Sequence, residues 1–427
     1  MLQGWSDVPS RTAEERAAAS PEDARSLLSA AAVRSTAHRV LQLAVAGELA
    51  DWAVHLDRLP ATAEFVGRVV RERYPDLQLP LHARWRHFVF AGWDLWTEIT
   101  LARHGDSAAA AARAAFDLAI TSVLLDAGAG RSWRYRDAAT GLTATRSEGL
   151  ALASLRWFER GGLSADPRDP LRADAAVLCR VDEAALADAL QVHAGNSLAG
   201  VRGRAALLNR LGEAVQARPD LFALADSPRP GGLFDVLALR AQHGPVLAAD
   251  LLELLLTALG TIWPDRPQLA GVSLGDCWPH PAIGGKAPQD HFVPLHKLSQ
   301  WLAYSLIEPL EQAGVPIVDV AALTGLAEYR NGGLFVDMGV LVPRDEAQLA
   351  RIHSVSDPFV VGWRAATVAL LDEIAPQVAA SLGLAPLQLP LARVLEGGTW
   401  AAGRRIAREK RPDGGPPFAI SSDGTVL

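Results

Sequence analysis

Cysteine is nearly absent: the two residues, Cys179 and Cys277, lie far apart and show no CxxC spacing. That excludes a disulfide framework and a cysteine-rich zinc site, and it fits a reducing compartment. Lysine is scarce as well. Lys286, Lys297 and Lys410 are the three lysines among 41 basic residues, so each one retained is informative. A basic surplus is missing: the net charge of -7 and a pI near 5.9 argue against nucleic acid as the main partner, because phosphate backbones are bound by excess positive charge. An anionic ligand must then be met by a local basic cluster. The most apolar stretch, Leu247 to Trp263, is interrupted by Asp250 and Glu253 and is too short to span a bilayer, so no membrane partner is expected. Asp7, Arg11, Glu14, Glu15 and Arg16 stand where a secretory signal needs an apolar core, and a cytoplasmic protein is expected. Internal repeats, G-x-S-x-G and H-E-x-x-H are all missing, and Gly231-Gly232 and Gly284-Gly285 match no phosphate-loop or dinucleotide fingerprint.

What is present is a chain of 427 residues with 49% hydrophobic and 21% charged side chains, enough to bury a core without staples. Most segments show the 3.6-residue period, so the expected fold class is mostly α, one helical domain over residues 1–427 with a small β-hairpin. Ser20-Pro21-Glu22-Asp23 reads as an N-cap, a first-turn proline and two first-turn acids, opening a helix to about Ala46. Further helices are expected at about 62–73, 107–127, 182–192, 203–217, 245–260, 294–313, 319–330, 360–381 and 399–410. Ser132 to Arg136 and Leu142 to Arg146 flank a turn and read as the hairpin, with Arg131, Arg134 and Arg136 on a solvated face opposite a packed one. The proline-rich stretches at 166–170 and 227–232 are candidate hinges within that domain.

Polar diversity concentrates between Gly271 and Gly339. In the helix after Pro294, Leu298, Trp301, Leu302 and Leu306 form a core face, while Lys297, Gln300 and Tyr304 share another. Lys297 is either a surface lysine or a cleft lysine. In the expected helix after Asp319, Thr324, Glu328 and Asn331 share one face, Arg330 points elsewhere, and Gly332-Gly333 read as the terminator. A carboxylate at Glu328 would then sit against the negative end of the helix dipole, a misplacement more easily tolerated where function needs it. The alternative is a solvated surface glutamate. The proline-stiffened Gly275-Asp276-Cys277-Trp278-Pro279-His280-Pro281 offers Asp276 and His280 as polar site residues, and Trp278 as a stacking wall or as packing. Gly397-Gly398-Thr399 before the last helix reads as an anion cradle of free amides with Arg404 nearby, or as an ordinary threonine N-cap. A metal site drawn from His280, His291, His296, Asp276 and Asp290 has no tight ligand spacing, and no metal or other cofactor is expected.

These residues carry a resemblance. HKLSQWLAYSL (His296 to Leu306) and LTGLAEYRNGGLFVDMGVL (Leu323 to Leu341) resemble the uracil-catabolism family of fungi and bacteria, linked to the pathway that releases urea from the pyrimidine. The similarity extends to RSEGLALASL (Arg146 to Leu155), GDCWPHP (Gly275 to Pro281) and EGGTWAAGRRIA (Glu396 to Ala407). The first two segments are also similar to the queuosine-salvage family. Its members hydrolyse the N-glycosidic bond of a modified nucleoside 5′-phosphate and carry a lysine-containing helix followed by Asp-Tyr-Arg. Lys297 and Glu328 keep the 31-residue separation, but the acid here is Glu328, and Asn331-Gly332 replaces the family's usual Val-Pro. This second resemblance implies an all-α fold related in layout to DNA glycosylases.

Together the resemblances imply a metal-independent N-ribosyl hydrolase whose small-molecule partner is a phosphorylated ribosyl compound, a ribosylurea 5′-phosphate. Glu328, Lys297, Tyr329 and Asp276 are the expected catalytic set. His280, Trp278, His296, Gln300, Arg330, Asn331, Gly398, Thr399 and Arg404 are the expected substrate-binding set. Alternatives from other classes are a non-catalytic helical partner of the other uracil-catabolism enzymes and a metal-dependent amidohydrolase. Burial of Glu328 in a polar cleft favours the hydrolase, and exposure beside an apolar patch favours the partner.

Overall fold

A computed structural model describes residues 19–90, 92–104, 107–126, 128–130, 132–225 and 227–421. The N-terminal stretch read for a signal and Arg131, placed with Arg134 and Arg136 on a solvated face, lie outside them. The architecture is mostly α, and a contiguous cluster of buried side chains runs from Leu28 to Phe418. At its centre is the 24-residue helix Pro358–Ser381, opened by the Asp357 N-cap and Pro358 in the first turn, which packs on Ala30–Val45 and Leu59–Arg73. A second helical pair sets the alanine-rich Ala108–Leu124 against Lys297–Gln312, where small side chains let the helices approach closely.

The Ser20 N-cap forms as read, closed into a capping box by Asp23, but the first expected helix is two: Pro21–Ser26 and Ala30–Val45. Ser29 takes an extended backbone and caps the second helix through Ala32 N, which breaks the run. The hairpin pairs Arg134–Arg136 with Thr143–Thr145, burying Tyr135 and exposing Arg134 and Arg136. The strand pair Cys277–Pro279 with Phe292–Pro294, in the register Val293↔Trp278, was not legible in the sequence. It brings Asp276 beside the start of the Lys297 helix. Both candidate hinge stretches are tied down near the buried carboxylate of Asp117, which accepts from Ala173 N, Gly231 N and Arg229, while Arg172 bonds Ser227.

The helix expected at 319–330 does not form. Asp319 is left-handed, Val320–Ala322 make a single 3-10 turn, and the chain then runs extended to Glu328. Tertiary contacts override the local period here. The guanidinium of Arg34 gathers the carbonyls of Ala321, Ala322 and Leu323 at 3.1, 3.0 and 2.8 Å, while Gln300 and Tyr304 hold Thr324. The helix begins later, at Tyr329–Asp337. The expected break at Gly397-Gly398-Thr399 is likewise absent: Leu391–Val394, a π-helical turn at Leu395–Thr399 and Trp400–Lys410 form one continuous rod.

Candidate active site

Asp276 is a partly buried strut. Its carboxylate accepts both guanidinium arms of Arg364 (2.8 and 2.7 Å), the Trp278 indole N–H (2.9 Å) and the backbone N–H of Lys297 (3.1 Å). Burial opposes its ionisation, but the Arg364 charge and these bonds prevail and hold the carboxyl below the usual range. Arg364 Nε in turn donates to the carbonyl of Ala327 at 3.0 Å. One ion pair therefore fixes both the first turn of the Lys297 helix and the residue preceding Glu328.

Glu328 is the N-cap of its helix, not a residue of its C-terminal turn. Its Oε2 accepts from Arg330 N (2.8 Å) and its Oε1 from Asn331 N (2.5 Å), so the positive end of the dipole supports the charge. Gly332 and Gly333 lie within this helix, and a side chain has no room at the first of them: a Cβ at Gly332 would meet the Trp363 ring at 2.4 Å.

Glu328 and Lys297 line one cleft of about 270 Å³, together with Trp301, Leu326, Tyr329 and Arg330. Glu328 is 4% exposed, which places the carboxylate inside the protein. The Lys297 ammonium lies 5.7 Å from the centre of the Trp301 ring and has no hydrogen-bond or ion-pair partner among the described residues. Burial pushes the lysine below its ordinary pKa, and the nearby Glu328 charge is the chief opposing influence. Burial raises the Tyr329 phenol, whose ring faces the Arg330 guanidinium at 4.7 Å.

The opposite wall comes from residues outside the expected catalytic and binding sets: His82, His87, Asp126, Arg146, Ser147, Trp400, Asp413 and Gly415. His82 Nδ1 bonds Glu396 Oε2 at 2.6 Å in a buried pair. The fully buried Arg84 donates to His87 Nδ1 at 3.2 Å and pairs with Asp126 Oδ2 at 3.0 Å. Burial, helped by the Arg84 charge, pushes His87 down to about 4 and keeps its imidazole neutral. Both histidine rings lie 5.9 to 6.2 Å from Trp301 and Trp400, making an aromatic wall. Arg146 and Arg330 each donate one N–H to the loop beneath them, to Asp413 O at 3.1 Å and Gly414 O at 2.8 Å. Arg404, burial, Arg146 and Arg330 together lower Arg408, the sign of locally crowded positive charge in an acidic protein. The sequence signals for this wall were Arg146 and Ser147 at the head of RSEGLALASL and Trp400 within EGGTWAAGRRIA.

Several expected site residues lie elsewhere. Asp276 lines a smaller cavity behind Lys297. His280 bonds Pro358 O and Ala282 N; His296 bonds Leu27 O. Trp278 packs beneath Arg266 and spends its N–H on Asp276. Gln300 clamps Thr324, and Asn331 Nδ2 bonds Leu326 O. None of these six side chains lines the cleft. The anion cradle is corrected outright. Gly397, Gly398 and Thr399 sit inside a continuous helix, Thr399 is fully buried with helical angles, and no amide is freed there by a helix start. Arg404 is ion-paired with Glu148.

Residues 26–427 match the family model described as "Protein of unknown function (DUF1688)". Protein urg3 of Schizosaccharomyces pombe is 38% identical over 419 residues, covering 96% of this chain and 100% of that protein. Uracil catabolism protein 4 of Lachancea kluyveri is 35% identical over 414 residues, covering 89% of this chain and 93% of that one. With its cleft lined by segments from His82 to Ile420, all inside the matched span, the chain belongs to the DUF1688 family and is similar over most of its length to protein urg3 and uracil catabolism protein 4.

Proposed function

We propose that this protein acts in uracil catabolism as an N-ribosyl hydrolase, cleaving a ribosylurea 5′-phosphate to urea and ribose 5-phosphate. The pathway assignment rests on the name of the Lachancea relative. The reaction assignment rests on one observation: a buried carboxylate fixed by two backbone N–H bonds shares a polar cleft with an ammonium that has no partner among the described residues.

Breaking an N-ribosyl bond develops positive charge on C1′ and the ring oxygen, and a preorganised anion beneath the sugar stabilises that transition state. Because both oxygens of Glu328 already accept from the helix N-terminus, its role is that of a fixed charge rather than a mobile proton acceptor. As the C1′–N bond breaks, its electron pair goes to nitrogen. Lys297 supplies the proton that makes urea a neutral leaving group, water adds hydroxide to C1′, and the water's remaining proton restores the ammonium. Arg146 and Arg330 are the cations on the cleft for the phosphate, in place of the amide cradle. Burial of Glu328 supports this reading over that of a non-catalytic helical partner.

The test is release of urea from synthetic ribosylurea 5′-phosphate by the purified protein. Stoichiometric urea and ribose 5-phosphate are expected, and no release under saturating substrate overturns the assignment.

A further inference from the structure

Three buried polar atoms on the cleft residues have no partner among the described residues: Nε of Arg330, Oδ1 of Asp126 and the indole N–H of Trp301, the last two on side chains that both lie against Arg84. Asp126 is costly where it stands. It follows directly on the C-terminal end of Ala108–Leu124, where the helix dipole disfavours negative charge, and it is 7% exposed. Arg84 compensates one oxygen and leaves the other free. A buried carboxylate oxygen without a donor is unfavourable, and so is an indole N–H without an acceptor. A ligand that offers an N–H and a carbonyl together relieves both.

The neighbourhood favours a planar group. Trp301, Trp400, His82 and His87 present aromatic faces, and the Arg84 guanidinium that braces Asp126 lies 5.5 Å from the centre of the Trp301 ring. A flat amide-type group against these rings carries its hydrogen-bonding atoms at its edge, where Asp126 and the tryptophan N–H can meet them. A sugar hydroxyl offers a donor but neither a planar face nor a carbonyl.

We propose that Asp126 and Trp301 form an amide-reading subsite, in which Asp126 accepts an N–H from the urea-type leaving group and the Trp301 indole donates to its carbonyl. The inference rests on the N-ribosyl hydrolase reading of this cleft and names the half of the substrate that these residues select.

The test is calorimetric binding of three probes. The first is the carbocyclic analogue of ribosylurea 5′-phosphate, whose ring carbon blocks cleavage. The second is its acetamide counterpart, with a methyl group replacing the terminal NH₂. The third is ribose 5-phosphate. Wild-type protein should bind the urea probe roughly tenfold to a hundredfold more tightly than the acetamide probe, the range for a hydrogen bond to a charged group. Asp126→Asn should lose a similar factor on the urea probe and stay within twofold on ribose 5-phosphate. Trp301→Phe keeps the aromatic face and should lose a smaller factor, again on the urea probe. The wild-type comparison needs no variant, so it decides the matter even if Asp126→Asn leaves Arg84 unpaired and fails to fold. Equal wild-type affinity for the urea and acetamide probes overturns the subsite, as does an Asp126→Asn loss shared equally by ribose 5-phosphate. Wild-type protein that binds none of the three overturns the hydrolase reading along with it.

Discussion

The two walls of the cleft differ in how they hold their charges. The wall of Lys297 and Glu328 is built from two helix beginnings, with backbone amides fixing the carboxylate and one partly buried ion pair, Asp276 with Arg364, setting the distance between them. The facing wall is built from side chains of distant segments. Its Arg146 is anchored on a loop carbonyl, its histidines are packed among tryptophans, and its Asp126 is only half compensated. A rigid charge suits a transition state, whereas a wall with unspent hydrogen-bonding capacity suits selection of a ligand. The walls should therefore fail differently when altered.

The largest effect is expected at Glu328. Glu328→Gln removes the charge while keeping one cap acceptor, so kcat should fall by about 10²–10³, or about 3–4 kcal/mol, with KM little changed. Glu328→Asp should retain more activity than the amide. A normal kcat in the folded Gln variant would erase the contrast between the walls.

On the facing wall, Arg146→Ala should raise KM for the 5′-phosphorylated substrate about tenfold or more at nearly constant kcat, because a charged hydrogen bond contributes about 1.5–3 kcal/mol. Equal performance on phosphorylated and unphosphorylated substrates would show that this arginine does not bind the phosphate.

Close packing behind the first wall gives the next effect. Gly332→Ala should destabilise by about 1–3 kcal/mol in denaturant unfolding, since the added methyl meets the Trp363 ring. A helix interior with free space would instead gain stability from alanine.

The facing wall should also respond to acid through His87. Its folded pKa is depressed to about 4 against an ordinary 6.5, so the unfolded chain binds the proton first. Stability should fall as pH drops from about 6.5 towards 4, and His87→Gln should flatten that limb of the melting-temperature profile. An unchanged limb would mean that the imidazole is not the group responsible.

The smallest effect sharpens the correction at the last helix. Thr399 Oγ1 is buried without a partner among the described residues, so Thr399→Val should be neutral or stabilising by about 1 kcal/mol, with KM unmoved. An N-cap would instead lose about 1 kcal/mol.

Two glycine pairs show where sequence reading stops. Gly332-Gly333 read as a helix stop and Gly397-Gly398 as a helix start, yet both lie inside helices. In each case the missing side chain makes room for an aromatic neighbour, Trp363 beside Gly332 and Tyr74 beside Gly397, where a Cβ would lie 2.7 Å from the ring. Glycine as punctuation and glycine as clearance look alike in a sequence. The same ambiguity moved the argument about a misplaced carboxylate. It was made for Glu328, which is a favourable N-cap, and it applies to Asp126, which follows a helix C-terminus.

The sequence by itself determined the helical class, most helix positions, the hairpin and the pairing of Lys297 with Glu328. These follow from side chains a few residues apart, from capping chemistry and from a recognisable motif. Only the tertiary structure decided what surrounds that pair. Arg34 pulls the 321–323 carbonyls out of a helix, Arg364 spends Asp276 on scaffolding, and Arg84, Asp126 and Arg146 arrive from more than a hundred residues away to close the cleft. Such contacts leave no local period to read, because a buried arginine selects its partners by geometry and charge across the fold, not by spacing along the chain.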